Sequence, residues 1–258
     1  IGMIVISGQV KYETTVRSTA LPLRQFGDQE IDIESLIKPI TKYSEMVTDP
    51  KKVRYHLEKA FYFATSGRPG PCWLDIPLDI QGAKINPEEL QGFDPAEIES
   101  LSPKPDLQAV ACTILEKISR SKRPVILVGS GVRLSGAHNE LFALLHKLHI
   151  PVVTAWNAHD AVPDENEFYV GRPGTVGDRA GNFAVQNSDL LLILGSRLNI
   201  RQVSYNWKTF ARDAFKIWVE IDEVELSRKN VTAELPVHAD LGEFLPILNA
   251  SKYEPNPK

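Results

Sequence analysis

The sequence predicts an α/β fold: parallel sheets covered by helices on both faces, with an incomplete first domain followed by a complete second one. Three observations predict it. Apolar runs such as Leu190–Leu194 are continuous rather than alternating, as in strands buried on both faces. Stretches with apolar residues at helical spacing stand between those runs. Glycines or charged residues follow where the runs stop, and open parallel sheets bind ligands just beyond the carboxyl ends of their strands.

The chain opens inside a strand, residues 3–6, with no turn or cap before it, as in a piece of a longer protein. Ser7, Gly8 and Gln9 read as a turn. Residues 11–29 are polar and irregular, a loop leading to a short helix over 31–36, and residues 38–42 resemble a short strand carrying a basic residue. Asp49 followed by Pro50 is a helix start, an N-cap and then proline in the first turn. Val53, Leu57, Ala60, Phe61 and Ala64 form one helical stripe, and Gly67 supplies the stop. Residues 72–76 are a strand broken by Pro77, so the first domain covers residues 1–78. Residues 79–105, punctuated by Pro87, Pro95, Pro103 and Pro105, read as a linker between domains.

The second domain covers residues 106–249. Leu107, Val110, Ala111, Ile114, Leu115 and Ile118 share one face of its first helix. Strand 125–128 follows, then a helix that starts late, near Gly136 or His138, and carries Leu141, Leu144, Leu145 and Leu148. Strand 152–156 leads into a long loop over 157–177. Asp178 caps a helix with Ala180, Phe183 and Ala184 facing inward. Two apolar strands then end at Leu194 and at Glu220 to Asp222. Leu241, Phe244, Leu245 and Leu248 mark the last helix, and residues 250–258 read as an unpacked tail.

Composition excludes several classes. A net charge of -4 and no dense Lys/Arg patch leave no footprint for nucleic acid. Cys72 and Cys112 lie in separate core elements without CxxC or metal-ligand spacing, so neither a disulfide scaffold nor a metal site is expected. No apolar run approaches the ~20 residues of a membrane helix, and no signal peptide is visible. A cytoplasmic setting follows by default. The six histidines are scattered and read as solvated, and neither GxSxG nor a P-loop occurs.

The chemistry gathers at four strand ends: Gly129, Ser130 and Gly131; Gly171 and Gly174; Gly195 with Arg197 and Arg201; Glu220 with Asp222. Glycines let backbone N–H groups approach a pyrophosphate, arginines fork onto phosphate oxygens, and carboxylates accept from ribose hydroxyls. A nucleotide groove fits this set. The alternatives are ordinary surface charges at loop starts, and a tight strand-to-helix turn at Gly129 to Gly131.

Several stretches resemble one family. These are Ile6 to Val10, Phe26 to Glu30, Lys38 to Lys42, Ala60 to Pro71 with Leu74 to Pro77, Gly195 to Arg201, and Val219 to Asp222. Together they are similar to the thiamine-diphosphate enzymes around the acetolactate synthase large subunit, over nearly the whole chain. The resemblance implies the back half of a pyrimidine-binding domain, then a Rossmann-like middle domain with a six-stranded parallel sheet holding FAD, or ADP in relatives. It implies cofactor contacts at Arg68, Gly129, Ser130, Gly131, Gly171, Gly174, Gly195, Arg197, Arg201, Glu220, Asp222 and Asp240. Gln29 and Lys42 would line the substrate approach. The parent enzyme would use thiamine diphosphate and Mg2+ to decarboxylate a 2-keto acid and transfer the fragment. The Gly-Asp-Gly segment that holds the diphosphate and Mg2+ in that family does not occur here, so this chain alone is expected to be inactive. Apolar surface left on the first domain implies a homodimer or larger assembly. Competing readings are a non-catalytic nucleotide-binding or assembly domain, a decarboxylase relative without flavin and, more remotely, an NAD-dependent dehydrogenase.

Overall fold

The computed structural model describes residues 1–98 and 105–255, and the chain divides into two compact units, Ile1–Ser102 and Pro103–Lys258.

The first unit is a three-stranded parallel sheet of β1 (Met3–Gln9), β2 (Tyr43–Met46) and β3 (Pro71–Pro77), in the order β1-β3-β2. The turn expected at Ser7 to Gln9 is instead strand, paired with β3 as far as Pro77. Its polar residues are satisfied inside: Ser7 Oγ and Gln9 Nε2 donate to the Asp75 carboxylate at 2.6 and 3.0 Å, and Asp75 is 1% exposed. The strand expected over 38–42 begins later, at Tyr43, because Lys38–Ile40 is a 3-10 turn around Pro39, which has no N–H for a ladder. Asp49 does start a helix: its carboxylate accepts from Lys51 N at 3.0 Å, and one 3-10 turn leads into α1 (Val53–Thr65). Ala60 and Ala64 of the expected stripe are buried, but Phe61 faces out. Residues 79–98 are no bare linker. Phe93 packs edge-on against Tyr55, Phe93 N donates to Glu58 at 2.8 Å, and Tyr55 OH donates to Glu97 at 2.7 Å. The rest of that expected linker, apart from Pro105, lies outside the described residues.

The second unit is a six-stranded parallel sheet: β4 (Pro124–Val128), β5 (Val152–Thr154), β6 (Tyr169–Gly171), β7 (Leu190–Leu194), β8 (Phe215–Glu220) and β9 (Leu235–His238). Their order is β6-β5-β4-β7-β8-β9. The helices α2 (Leu107–Arg120), α3 (His138–Leu148), α4 (Arg179–Asn187) and α5 (Leu241–Ala250) cover it. The continuous apolar run of β7 has a direct cause. Leu190, Leu192 and Leu194 enter the core under α2, α3 and α5, while Leu191 and Ile193 enter the opposite core with Trp218 and Val185 of α4. Each such side chain contributes about 1.5–3 kcal/mol on burial. Both faces are covered, as the apolar pattern predicts.

Four expectations are corrected in this unit. Strand β6 lies inside the expected loop 157–177, whereas the helix expected from near Gly136 or His138 does start at His138, with an additional short helix, Gly131–Leu134, before it. On α4 Gly181 and Val185 are buried and Ala184 packs against the core as expected, while Ala180 and Phe183 are exposed. Cys112 is exposed on α2. The tail is packed where it is described: Ser251 is buried and Tyr253 lies against the core. Lys147 Nζ holds it, donating to Leu248 O at 2.8 Å, Asn249 O at 2.9 Å and Ser251 O. Replacing Lys147 by Met is expected to cost about 1–3 kcal/mol, since three carbonyls at the end of α5 lose a charged donor. A urea midpoint unchanged from the parent would disprove that role.

Asp189, at the foot of β7, accepts from Lys122 N at 2.8 Å, Arg123 N at 2.9 Å and the Ser121 hydroxyl. Burial pushes its carboxyl up, but these hydrogen bonds more than offset that and hold it below the usual carboxylate range. With the folded pKa depressed, the stabilisation is present above an unfolded value of about 3.9 and is lost as pH falls through the folded one. Asp189→Asn is expected to be less stable at neutral pH, with the gap closing in acid. A gap that widens below about pH 4 in urea titrations would reverse this sign. Among the described residues, no helix is long and apolar enough to cross a membrane.

Candidate functional site at the carboxyl ends of the second sheet

Counted from β4, the strand order is 3-2-1-4-5-6, and the chain reverses its direction of travel across the sheet between β4 and β7. Doubly wound sheets take nucleotides at the carboxyl ends of strands that flank such a switch point. Gly129, Ser130 and Gly131 leave β4 there, and Gly195 leaves β7.

The glycines do not act as expected. Gly129 N donates to Leu194 O at 2.8 Å, Gly131 N to Gly195 O at 3.0 Å and Gly195 N to Val219 O at 3.0 Å. Their N–H groups serve the protein rather than a pyrophosphate. They are glycines because two backbones touch: a Cβ on Gly129 would lie 2.2 Å from Gly195 O, and one on Gly131 would lie 2.6 Å from Gly195 Cα. Gly171, at φ +134°, makes room for the Asp178 carboxylate, which accepts from Arg172 N at 2.8 Å and Gly181 N at 2.7 Å. A Cβ on Gly174 would meet Arg201 O at 2.9 Å.

The donors for an anion lie one step further along. Ser196, Arg197 and Leu198 follow Gly195, and Leu198 has φ +50°. Among the described residues, the N–H groups of these three have no acceptor. Successive free N–H groups around a left-handed residue form an anion-binding concavity. The carbonyls of the same residues are tied back. Trp218 Nε1 donates to Ser196 O at 2.8 Å, and Arg228 Nη2 donates to Leu198 O at 3.3 Å and to Arg197 O. The Arg197 side chain is 53% exposed and pairs with Glu225 at 3.5 Å. Arg201 is exposed on the short helix Ile200–Val203, and its carbonyl accepts from Thr175 N at 2.8 Å. Gln202 Nε2 donates to Pro173 O at 2.8 Å, so the loops after β6 and β7 are stitched together.

The acidic candidates have local duties. Glu220 is buried, and one of its oxygens accepts from Ile221 N at 3.1 Å. Asp222 caps the short helix Glu223–Leu226 through Val224 N at 3.1 Å, and Asp240 caps α5 through Gly242 N at 2.7 Å. The structure therefore joins Gly129 to Gly131 with Gly195, Gly174 with Arg201, and Arg197 with the helix that Asp222 starts. No local pattern in the sequence marks Glu225, Arg228, Ser196 or Trp218.

Gln29, Lys42 and Arg68 belong to the first unit. Lys42 lays its stem over Gly70, where a Cβ would meet its Cγ and Cδ at 2.8 Å, and its Nζ donates to Ser66 O at 3.1 Å. It is thus anchored on the turn that carries Arg68. Gln29 is exposed beside Glu30, whose carboxylate accepts from Phe26 N and Gly27 N at 3.0 Å and from Val16 N at 2.5 Å. Burial raises the Glu30 pKa, yet these three bonds win and hold it below its usual value. Half-buried His56 corrects the expectation that every histidine is solvated, with Nδ1 2.6 Å from Tyr43 OH. No group of three or more His, Cys, Asp or Glu is placed to hold a metal among the described residues. One cavity, lined by Lys117, Arg120, Leu190 and Phe215, opens at the amino ends of β7 and β8, away from the strand ends that carry these candidates.

The strand order defines the second unit as a doubly wound α/β domain. Residues 112–248 match the family described as "Thiamine pyrophosphate enzyme, central domain", and the chain belongs to that family of thiamine pyrophosphate enzymes. It is 37% identical to the acetolactate synthase large subunit of Corynebacterium glutamicum, over 98% of this chain and 39% of that one. It is 35% identical to a probable acetolactate synthase large subunit of Methanocaldococcus jannaschii, over 86% of this chain and 38% of that one. The acetolactate synthase large subunit of Lactococcus lactis is 31% identical over 83% of this chain and 36% of its own length. The chain thus spans well under half the length of these relatives.

Proposed function

We propose that this chain supplies the nucleotide-holding middle unit of a thiamine-diphosphate-dependent, acetolactate-synthase-like enzyme, which decarboxylates a 2-keto acid and joins the fragment to an acceptor. The nucleotide is FAD, or ADP in its place, lying across the crevice between β4 and β7. One observation carries the reading: Arg197 and three successive N–H groups with no acceptor among the described residues sit at the switch point of the sheet. That donor set fits a diphosphate. Arg201 adds a second charge, and Asp222 offers acceptors for a ribose. FAD would serve here as a bound group, with Arg197 and the loop N–H groups holding its diphosphate.

The residues present do not fit the thiamine diphosphate and Mg2+ end of the same reading. No Gly-Asp-Gly occurs in the 258 residues, and no carboxylate cluster suited to a cation is placed among the described ones. The chain by itself is expected to form no acetolactate from pyruvate with thiamine diphosphate and Mg2+. A cytoplasmic, reducing setting suits its two free cysteines.

Calorimetric titration of the purified chain with FAD, ADP and adenosine tests the reading. Saturable binding of FAD or ADP, tighter than adenosine, is the expected result. Binding of none of them removes the nucleotide and leaves only the family relationship. An assembly role is favoured by a different observation, the apolar β1, where Met3 is 52% and Ile6 57% exposed. Light scattering is expected to show a dimer or larger, and a clean monomer at high concentration would exclude self-association through that strand.

A further inference from the structure

We propose that Arg228 is a positioning residue for the diphosphate, acting through the Ser196–Arg197–Leu198 loop; this rests on the nucleotide reading above. Its guanidinium lies over the Trp218 indole at 5.3 Å and pairs with Glu225 at 3.1 Å. Its Nη2 donates to the carbonyls of Arg197 and Leu198. Trp218 Nε1 takes the preceding carbonyl, Ser196 O, at 2.8 Å. Three consecutive carbonyls are therefore pulled toward the β8 side, which leaves the N–H groups of the same residues without an acceptor among the described residues. Arg228 also shares Glu225 with Arg197, since Glu225 lies 3.5 Å from Arg197 through its other oxygen.

Two consequences follow from this geometry. The left-handed Leu198, at φ +50°, is an unfavourable conformation for a branched side chain and needs the surrounding structure to hold it. Arg228 supplies two of those holds from thirty residues away in the chain. Glu225, 12% exposed, would otherwise draw Arg197 into a close pair. Arg228 divides that attraction, so the Arg197 guanidinium stays half-exposed and available to a phosphate. Lysine cannot replace this function: an ammonium can neutralise Glu225, but it has no planar fork to span two carbonyls while stacked on an indole.

The test compares the whole chain with its R228M and R228K variants, using ADP and adenosine as probes and trypsin cleavage after Arg197 as a second readout. R228M is expected to weaken ADP about tenfold, because the loop must be re-fixed on binding, and to leave adenosine unchanged. R228K is expected to stay within about twofold of R228M, and cleavage after Arg197 to accelerate about tenfold in both. Equal losses for ADP and adenosine would reduce Arg228 to a general structural role. Full rescue by lysine would reduce it to a counter-charge for Glu225. If the parent chain binds neither probe, the nucleotide reading fails on its own. Cleavage after Arg197 then still decides: unchanged cleavage in R228M overturns the positioning role, and faster cleavage upholds it.

Discussion

Gly129→Ala is expected to destabilise the second unit by about 3 kcal/mol or more, a larger loss than most single substitutions produce. The added methyl would lie 2.2 Å from Gly195 O, 2.5 Å from Ser196 Cα and 2.6 Å from Gly195 C. All three are backbone atoms, so no rotamer change relieves the contact, and either β4 or β7 must shift at its carboxyl end. Those strand ends are pinned. Gly129 N is bonded to Leu194 O, Gly195 N to Val219 O, and Val128 and Leu194 are fully buried. For a unit of this size the loss corresponds to a fall in Tm of roughly 6–12 °C. Gly136→Ala is the matching control. Gly136 sits at φ +72° with nothing within 4 Å of an added Cβ, so only the left-handed backbone opposes the change, at about 1–2 kcal/mol. Equal thermal shifts for the two variants would show that conformation, and not the close approach, makes Gly129 a glycine.

The contrast between those two glycines also shows what the sequence makes legible. Periodic features were readable because they repeat: the stripes of α2, α3 and α5, and the five apolar residues of β7 that serve two cores at once. Features set by a meeting of distant backbones were not. Gly129 and Gly195 both follow buried strands, which puts them at one end of the sheet, but their N–H groups are taken by neighbouring carbonyls. Nothing local announces that, since the partner lies across the sheet. Strand β6 was lost for another reason: three residues bounded by Asn166 and a Gly/Pro-rich loop carry too little period to be seen. Ser7 to Gln9 looked like a turn because its residue types favour one, and only Asp75, buried opposite in β3, makes them a strand. Phe61 and Phe183 fell on apolar stripes yet face outward, since the stripe ends where smaller neighbours, Ala60 and Gly181, make the contact.

Arg197→Met combined with Arg201→Met is expected to weaken ADP or FAD binding about a hundredfold while leaving adenosine and overall stability nearly unchanged. A charged hydrogen bond to phosphate reaches about 1.5–3 kcal/mol when sheltered, but both arginines are exposed to solvent and salt. Discounting for that leaves roughly 1.4 kcal/mol, or about tenfold, for each. Stability is spared for a stated reason. Glu225 is nearly buried, but its carboxylate is not stranded when Arg197 is replaced, because Arg228 still pairs with it at 3.1 Å. Arg201 holds the β6 loop through its backbone carbonyl rather than its side chain, so methionine keeps that link to Thr175. Screening supplies an internal check, because ADP affinity of the parent chain should fall with added salt more steeply than that of the double variant. ADP affinity within about threefold of the parent would place the diphosphate elsewhere, since less than 0.7 kcal/mol is too little for two phosphate contacts.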